Sequence, residues 1–354
     1  MTTGLEEMEQ ELRRFPSSVV EEFKQATEAL HGQLTESELA NWANQGVEIA
    51  RQAVRSWEAA SEYFRVSPQV AQHLSTVQLL NWGQCGTRLC KESPTLGVAF
   101  FKASPLTVQH LRPRYIQGWA DLGRSLYRGT WKSSALAAKF FDVSGNLLES
   151  MAYQEVARFA ELLDTLSHKS SDLAADCLLL GQHVLPQIGE DRLPFIKLSH
   201  AVAESNWRDV KGCFEHVSRV LTNVAQEQRS RFLDLAAMLA QGGLSNMSLF
   251  LSESSTSLAR VESADQGHIL DMAEKLLPVS HEAVGAFIRS GPELLLKISQ
   301  PQLESWFETG MGILDENRDG GLAYFKVESK TSESVLEALS ASVELDRVRE
   351  ILRM

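Results

Sequence analysis

Proline is scarce in this sequence, with ten in 354 residues. No stretch is rich in proline, glycine or serine, which argues against long linkers and compositional disorder. Short alternating runs of β-branched residues are missing too, so nothing reads as a half-buried strand. No run approaches the roughly 18 apolar residues that span a bilayer. The opening "MTTGLEEMEQELRRF" is charged and has no apolar core, so it is no signal peptide. The four cysteines, at 85, 90, 177 and 213, fit neither a zinc spacing nor a disulfide framework. They read as buried thiols, and the chain as a protein of the reducing cytoplasm.

Positive charge is in deficit as well. Thirty-four Lys and Arg face 46 Asp and Glu, for a net charge of −12 and a pI of about 5.3. Such a chain repels phosphate, so neither nucleic acid nor a membrane is its expected partner. A nucleophile elbow, a P-loop, an HExxH pair and a dinucleotide fingerprint are all absent. The sequence therefore assigns no catalytic, cofactor-binding or metal-ligating residue, and the chain reads as a non-enzyme.

What is present is helix-forming residues in quantity, chiefly Ala, Leu, Glu, Gln, Arg and Ser. The chain is longer than the roughly 250–300 residues at which one core stops growing, so two domains or a repeat array are expected. The phrase "FRVSPQVAQHL" at Phe64 returns as "FKASPLTVQHL" at Phe101. The same large apolar position recurs at Phe141, Leu178, Phe214, Phe250, Phe287 and Phe325, in steps of 36 to 40 residues. A leucine follows about ten residues after each, from Leu74 to Leu336. Upstream runs a column of Trp42, Trp82, Trp119, Phe159, Leu198, Leu235, Met272 and Trp306. Four residues later stand Gly46, Gly86, Gly123, Leu163, Val202, Leu239, Leu276 and Gly310.

Two polar columns accompany these. Ser56, Ser93, Ser133, Ser170, Asn206, Gly242, Val279 (beside Ser280) and Asn317 precede the Phe64-type anchors by eight residues. All but Val279 favour a helix N-cap, through the side chain or a bare backbone. Ser67, Ser104, Ser144, Gly181, Val217, Glu253, Ser290 and Glu328 follow the anchors by three and read as a second, decaying cap. Each unit then has a helix A, residues 38–53 in the first copy, and a helix B from Ser56. A third short helix, or a bend in B, is expected at Ser67. The glycine four residues after Trp82 is expected to let a neighbouring helix approach. Units of this kind bury their apolar stripes only by stacking. The expected fold is all-α, a right-handed α-solenoid of about eight ~37-residue repeats in the style of TPR, armadillo and HEAT arrays. Residues 1–36 are expected to form capping helices and 37–339 the array. Residues 340–354 are expected to form a last helix with Leu345, Val348 and Leu352 on one face, read as the start of further sequence.

Several chemical readings are available and are outweighed. His73 and His110 share a column, but later copies have no histidine there, so they read as copied with their helix. "DENRDGGLAYFK" from Asp315 resembles a calcium loop, yet position 12 is Lys326 where a bidentate Glu belongs, and Asn317 already falls in the cap column. "DVSGN" from Asp142 fails as a metal motif, because Ser144 is a column residue and its last position is Asn146. The anchors Trp42, Phe64, Trp82, Phe101, Trp119, Phe141, Phe214, Phe250, Phe287, Trp306 and Phe325 read as core. Trp57, Trp131 and Trp207 stand outside the column, near the turns between helices A and B, and are the candidates for partner contact.

"SELANWANQGVEIARQAVRSWEAASEYFRVSPQVAQHL" resembles the N-terminal helical region of the VWA-domain proteins related to CoxE and to the nitric oxide reductase activation protein NorD. The likeness rests on the W-x-x-x-G and F-x-x-S-P spacings and covers most of the chain. It implies an adaptor or assembly-factor region, working with a VWA domain and a MoxR-type AAA+ ATPase. The family's D-x-S-x-S metal site lies in the VWA domain and transfers to no residue here. The expected function is thus a protein-binding scaffold. The alternative is a HEAT-like nucleic-acid or DNA-repair module, which requires a basic concave face with interleaved aromatics.

Overall fold

The computed structural model describes residues 4–130, 133–242 and 244–326. Trp131, Leu336, Glu328 and the expected helix at 340–354 lie outside the described residues. The fold is all-α. The described residues hold no β-strand, only an isolated bridge between His31 and Leu34. None of their helices is long and apolar enough to cross a membrane.

The chain divides into two compact units, Met1–Pro186 and Gln187–Met354. The first holds α1 (Gly4–Leu12), α2 (Ser17–Leu30), α3 (Glu36–Arg51), α4 (Ser56–Ala71), α5 (Thr76–Glu92), α6 (Pro94–His110), α7 (Ile116–Gly129), α8 (Ser134–Ser150) and α9 (Tyr153–Ser167), with α10 (Ser171–Gln187) ending at the division. The second holds α11 (Arg192–Asn206), α12 (Val210–Leu221), α13 (Arg229–Gly242), α14 (Leu244–Ser257), α15 (Ser263–Leu276), α16 (His281–Leu295), α17 (Gln300–Glu316) and α18 (Arg318–Phe325). Within the first unit helices pack on the next but one: α1 on α3, α3 on α5, α5 on α7 and α7 on α9, and α2 on α4, α4 on α6 and α6 on α8. Within the second, α11 meets α13, α12 meets α14, and α14 meets α16.

The expected starts are found with small shifts. Helix α3 begins two residues before the expected 38, because Thr35 and Glu38 form a capping box: Glu38 N–H donates to Thr35 Oγ1 at 3.3 Å and Thr35 N–H to Glu38 Oε2 at 2.8 Å. Ser93 and Ser133 sit at the N-caps of α6 and α8, with Pro94 at the first helical position. Ser170, Ser280 and Asn317 accept a backbone N–H three residues on. Two positions differ. Arg55, at a left-handed φ of 71°, precedes α4, and Ser56 is its first residue, with a buried hydroxyl that has no partner among the described residues. Gly242 is the last residue of α13.

The second cap column is a correction. Ser67, Ser104, Ser144 and Ser290 are buried inside continuous helices and start nothing. Each hydroxyl donates to the carbonyl four residues back: Tyr63 at 2.5 Å, Phe100 at 2.7 Å, Phe140 at 2.6 Å and Ala286 at 3.0 Å. In that role a serine needs no helix end. Pro68 and Pro105 each remove one amide donor, but burial on both sides of them keeps α4 and α6 running. The hydroxyls also serve as acceptors. Trp42 Nε1 donates to Ser67 Oγ at 2.9 Å, and Trp82 Nε1 to Ser104 Oγ at 2.8 Å. Tyr63 returns its own phenol to the Trp42 carbonyl at 3.2 Å. Trp119 breaks the pattern, since its buried Nε1 has no partner among the described residues.

All eleven aromatic anchors are buried. The glycine column does something the spacing did not specify. A Cβ on Gly46, Gly86, Gly123 or Gly310 would lie 2.1, 1.9, 2.1 or 2.4 Å from the ring of Phe64, Phe101, Phe141 or Phe325. The glycine therefore admits the aromatic ring of the following helix. In the fourth copy the two partners change sides. Leu163 and Leu178 replace the glycine and the phenylalanine, and the Phe159 ring instead occupies the space at Gly181.

Polar links close the surface. Glu92, at the end of α5, accepts from Arg124 and Arg128 of α7, at 2.7 and 2.6 Å. The Arg128 guanidinium and then the Arg124 guanidinium hold its carboxyl below the ordinary value of 4.5. A lowered folded-state value adds stability that is present above 4.5 and lost as pH falls through the folded value. Glu92→Gln should therefore flatten the loss of stability on acidification below about pH 4.5, as read by melting temperature against pH. Ser104→Ala should cost about 1–3 kcal/mol, because it leaves the Trp82 N–H buried and unpaired. Ser144→Ala should cost less, since no indole depends on that hydroxyl. Gly86→Ala should destabilise by about 1–3 kcal/mol through overpacking. Adding Phe101→Leu should recover part of that loss, and chemical denaturation of the four chains measures the coupling.

Candidate functional site

Trp57 and Trp207 are both half-buried, in α4 and before α12 respectively. Trp207 immediately precedes Arg208, which lines a groove. At Asn206 the backbone turns extended, with φ −153°, and a short 3₁₀ turn of Trp207–Asp209 leads into α12. Asn206 holds this corner from both sides. Its Oδ1 accepts from Arg208 N–H at 3.4 Å, and its Nδ2 donates to Asp209 Oδ2 at 3.0 Å. The corner turns Arg208 onto the face of the Trp207 ring, 4.9 Å from its centroid, a cation–π contact that fixes a long, flexible side chain.

From that corner a stripe runs along α12: Arg208, Lys211, Gly212, Glu215, His216 and Arg219, at the three- and four-residue spacing of one helical face. It forms one wall of a groove of about 610 Å³. Leu251, Ser252 and Ser255 of α14 form the other wall, and Cys213, Val220 and Met247 the floor. The floor is apolar because those positions also pack inward; Met247 and Cys213 are 2% and 4% exposed. The rim is wet, with Glu215, His216, Arg219 and Ser252 all exposed. Three cations, Arg208, Lys211 and Arg219, share the groove with two carboxylates. One of these, Asp209, is already engaged by Asn206.

Gly212 lies mid-stripe. A Cβ there would meet nothing within 4 Å. It differs from Gly46 and Gly86, whose missing side chains are replaced by a ring of the same chain. Among the described residues no neighbour requires a glycine at 212.

The other candidates gain less. His73 and His110 are exposed, at the C-terminal ends of α4 and α6. The Asp315 segment is the last turn of α17 and then α18, with Asn317 capping α18 and Lys326 paired to Glu282 at 2.7 Å. No three His, Cys, Asp or Glu side chains converge as a metal ion needs among the described residues. All four thiols are buried, and burial pushes that of Cys90 up to about 12, the opposite of an activated nucleophile. A second groove of about 470 Å³, across α3, α5 and α7, is amide-rich. Gln45 there spends its Nε2 on Thr87 Oγ1 at 2.6 Å.

The α12–α14 groove offers hydrogen-bond donors, charges of both signs and an apolar floor. Of its lining residues the sequence singles out Cys213, as a buried thiol, and beside them Trp207. The stripe at 208, 211, 212, 215, 216 and 219 was visible as helical periodicity, but its cations are ordinary for a solvated face until α14 closes the far wall. No protein-family model matches this chain, and no curated protein does.

Gly212→Ala should leave the melting temperature unchanged or raise stability by up to about 1 kcal/mol, because it reduces backbone freedom in the unfolded chain without a clash. Gly86→Ala should lower it. Thermal melts of the two variants side by side check the contrast.

Proposed function

We propose that the chain is a non-catalytic protein-binding scaffold, a right-handed α-solenoid of about eight ~37-residue helical repeats. The recurring contact between a ring on one helix and a glycine on the helix before it carries this reading. The same interior is written in several copies of the chain, which is the economy of a repeat array. Such arrays bury their conserved columns inside and bind through what the columns leave outside. The groove on α12 and α14 is one such outer feature. The likeness of the repeat phrase to the helical region of CoxE- and NorD-related proteins directs which partners to try first, namely a VWA domain and a MoxR-type AAA+ ATPase.

A nucleic-acid module is the second reading, favoured by the Arg208–Trp207 stack beside further cations. Against it stand the carboxylates in the same groove and the net charge of −12, which oppose the multiple phosphate contacts such binding needs.

The test is affinity purification of the tagged full chain from its native host, with cross-linking and mass spectrometry, then reconstitution with the purified partner. A stoichiometric protein partner is expected, joined through surface residues of the helices. Nucleic acid as the sole stoichiometric companion would overturn the reading. So would a turnover activity that disappears on substitution of surface side chains while the fold is kept.

A further inference from the structure

We propose that residues 340–354 dock on α17 and α18 as one further helix of the repeat, covering Tyr324. This goes beyond the scaffold reading but rests on the same repeat. In the first unit the residue before a phenylalanine anchor stacks on the tryptophan of the next repeat: Tyr63 on Trp82 at 5.1 Å, and Phe100 on Trp119 at 4.7 Å. Tyr63 also stacks on Trp42 of its own repeat at 6.0 Å, and its phenol donates to the Trp42 carbonyl at 3.2 Å. Tyr324 repeats the second half of this arrangement. It stacks on Trp306 at 5.3 Å and donates to the Trp306 carbonyl at 3.1 Å. The ring of a next repeat is not among the described residues, because α18 is the last helix described. Tyr324 is nonetheless only 1% exposed. By continuity of the interface that Tyr63 makes with Trp82, its second neighbour comes from residues that follow α18.

Spacing and pattern name the occupant. The next helix A begins between 12 residues after the anchor (Phe64 to Thr76) and 15 after it (Phe101 to Ile116). Residue 340 lies 15 after Phe325. There Ala341, Leu345, Val348 and Leu352 recur at i, i+4, i+7 and i+11, one face of a helix. Asp346, Arg347, Glu350 and Arg353 take the opposite side, the polar outer face that a capping unit needs. Docking removes the apolar stripe from water, the main favourable term in such contacts. Thirteen residues, 327–339, tether the segment to Lys326. A tether of that length keeps it near this face at an effective concentration of about millimolar, which a separate chain must exceed.

The experiment is hydroxyl-radical footprinting of the full chain, read by mass spectrometry at Tyr324 and, as an internal control, at Tyr63. Both are protected in the parent chain. Leu345→Asp with Val348→Asp should raise the labelling rate of Tyr324 by about tenfold or more while Tyr63 stays protected. Glu350→Ala, on the polar side, should change neither. A synthetic peptide of residues 338–354 added to the double variant should restore the protection of Tyr324. The same peptide carrying the two aspartates should not.

Rapid labelling of Tyr324 in the parent chain overturns the inference, as does protection that the double substitution leaves intact. Protection that appears only as chain concentration rises, together with a dimer in sedimentation, overturns it in favour of a second copy. If the double variant loses the protection of Tyr63 as well, it has not folded, and amide hydrogen exchange of the parent chain decides. Amides of residues 345–352 slowed by about 100-fold or more support the docked helix, and exchange at the rate of an unstructured chain overturns it. Failure here leaves the scaffold reading standing, because that reading rests on the ring–glycine contacts and not on what covers Tyr324.

Discussion

The contact on which the interior depends is a phenylalanine ring lying where a side chain would be. At Gly46, Gly86, Gly123 and Gly310 the ring of the following helix comes so close that even a methyl group would overlap it. The ring then fixes how near the two helices lie, and that spacing lets the tryptophan four residues earlier pack edge-on against the same ring. Trp42 and Phe64 sit 5.2 Å apart, Trp82 and Phe101 5.0 Å, and Trp119 and Phe141 5.1 Å, each steeply inclined as aromatic pairs prefer. Where the tryptophan is lost the glycine is lost with it. Leu198 is followed by Val202, Leu235 by Leu239 and Met272 by Leu276. A large and a small residue are exchanged for two of middle size, the kind of volume-conserving swap a core tolerates.

Burying so much of each helix forces the polar groups between them into defined partnerships. The serine hydroxyls of the helix interiors bond the preceding turn and, twice, also receive an indole N–H. In the second unit one buried amide does comparable service. Gln266 donates to the carbonyls of Leu258 at 2.9 Å, Val261 at 3.3 Å and Asn223 at 3.2 Å, and accepts from Ala225 N–H at 2.8 Å. It ties the loop after α12 to the loop after α14, the same two helices that wall the groove. Left unmade, those backbone groups would each carry a desolvation cost.

Glycine serves opposite purposes inside and outside. At Gly86 the missing side chain is replaced by Phe101, so the residue is a packing element. At Gly212, which lines the groove, nothing among the described residues replaces it. The interior columns repeat because every unit meets a like neighbour.

The sequence by itself determined the all-α class, the anchor columns and most helix starts. Periodicity and capping are local: an apolar stripe and a Ser, Thr or Asn before it act within one or two turns of chain. Even the S-x-x-Q and T-x-x-E caps at Ser75, Ser299 and Thr35 were there to be read. The sequence could not distinguish a serine that caps a helix from one that bonds back to it. Ser67 and Ser104, each followed by proline, have the local signature of a helix start; burial against Trp42 and Trp82 keeps the helix going instead. Nor could it show what fills the space at a glycine, since Phe64 and Gly46 are eighteen positions apart and meet only when α4 folds back on α3. The groove was least visible of all. Arg208, Lys211 and Arg219 read as a solvated face until α14 supplies the opposite wall and Met247 the floor, and that juxtaposition across a loop exists only in the tertiary structure.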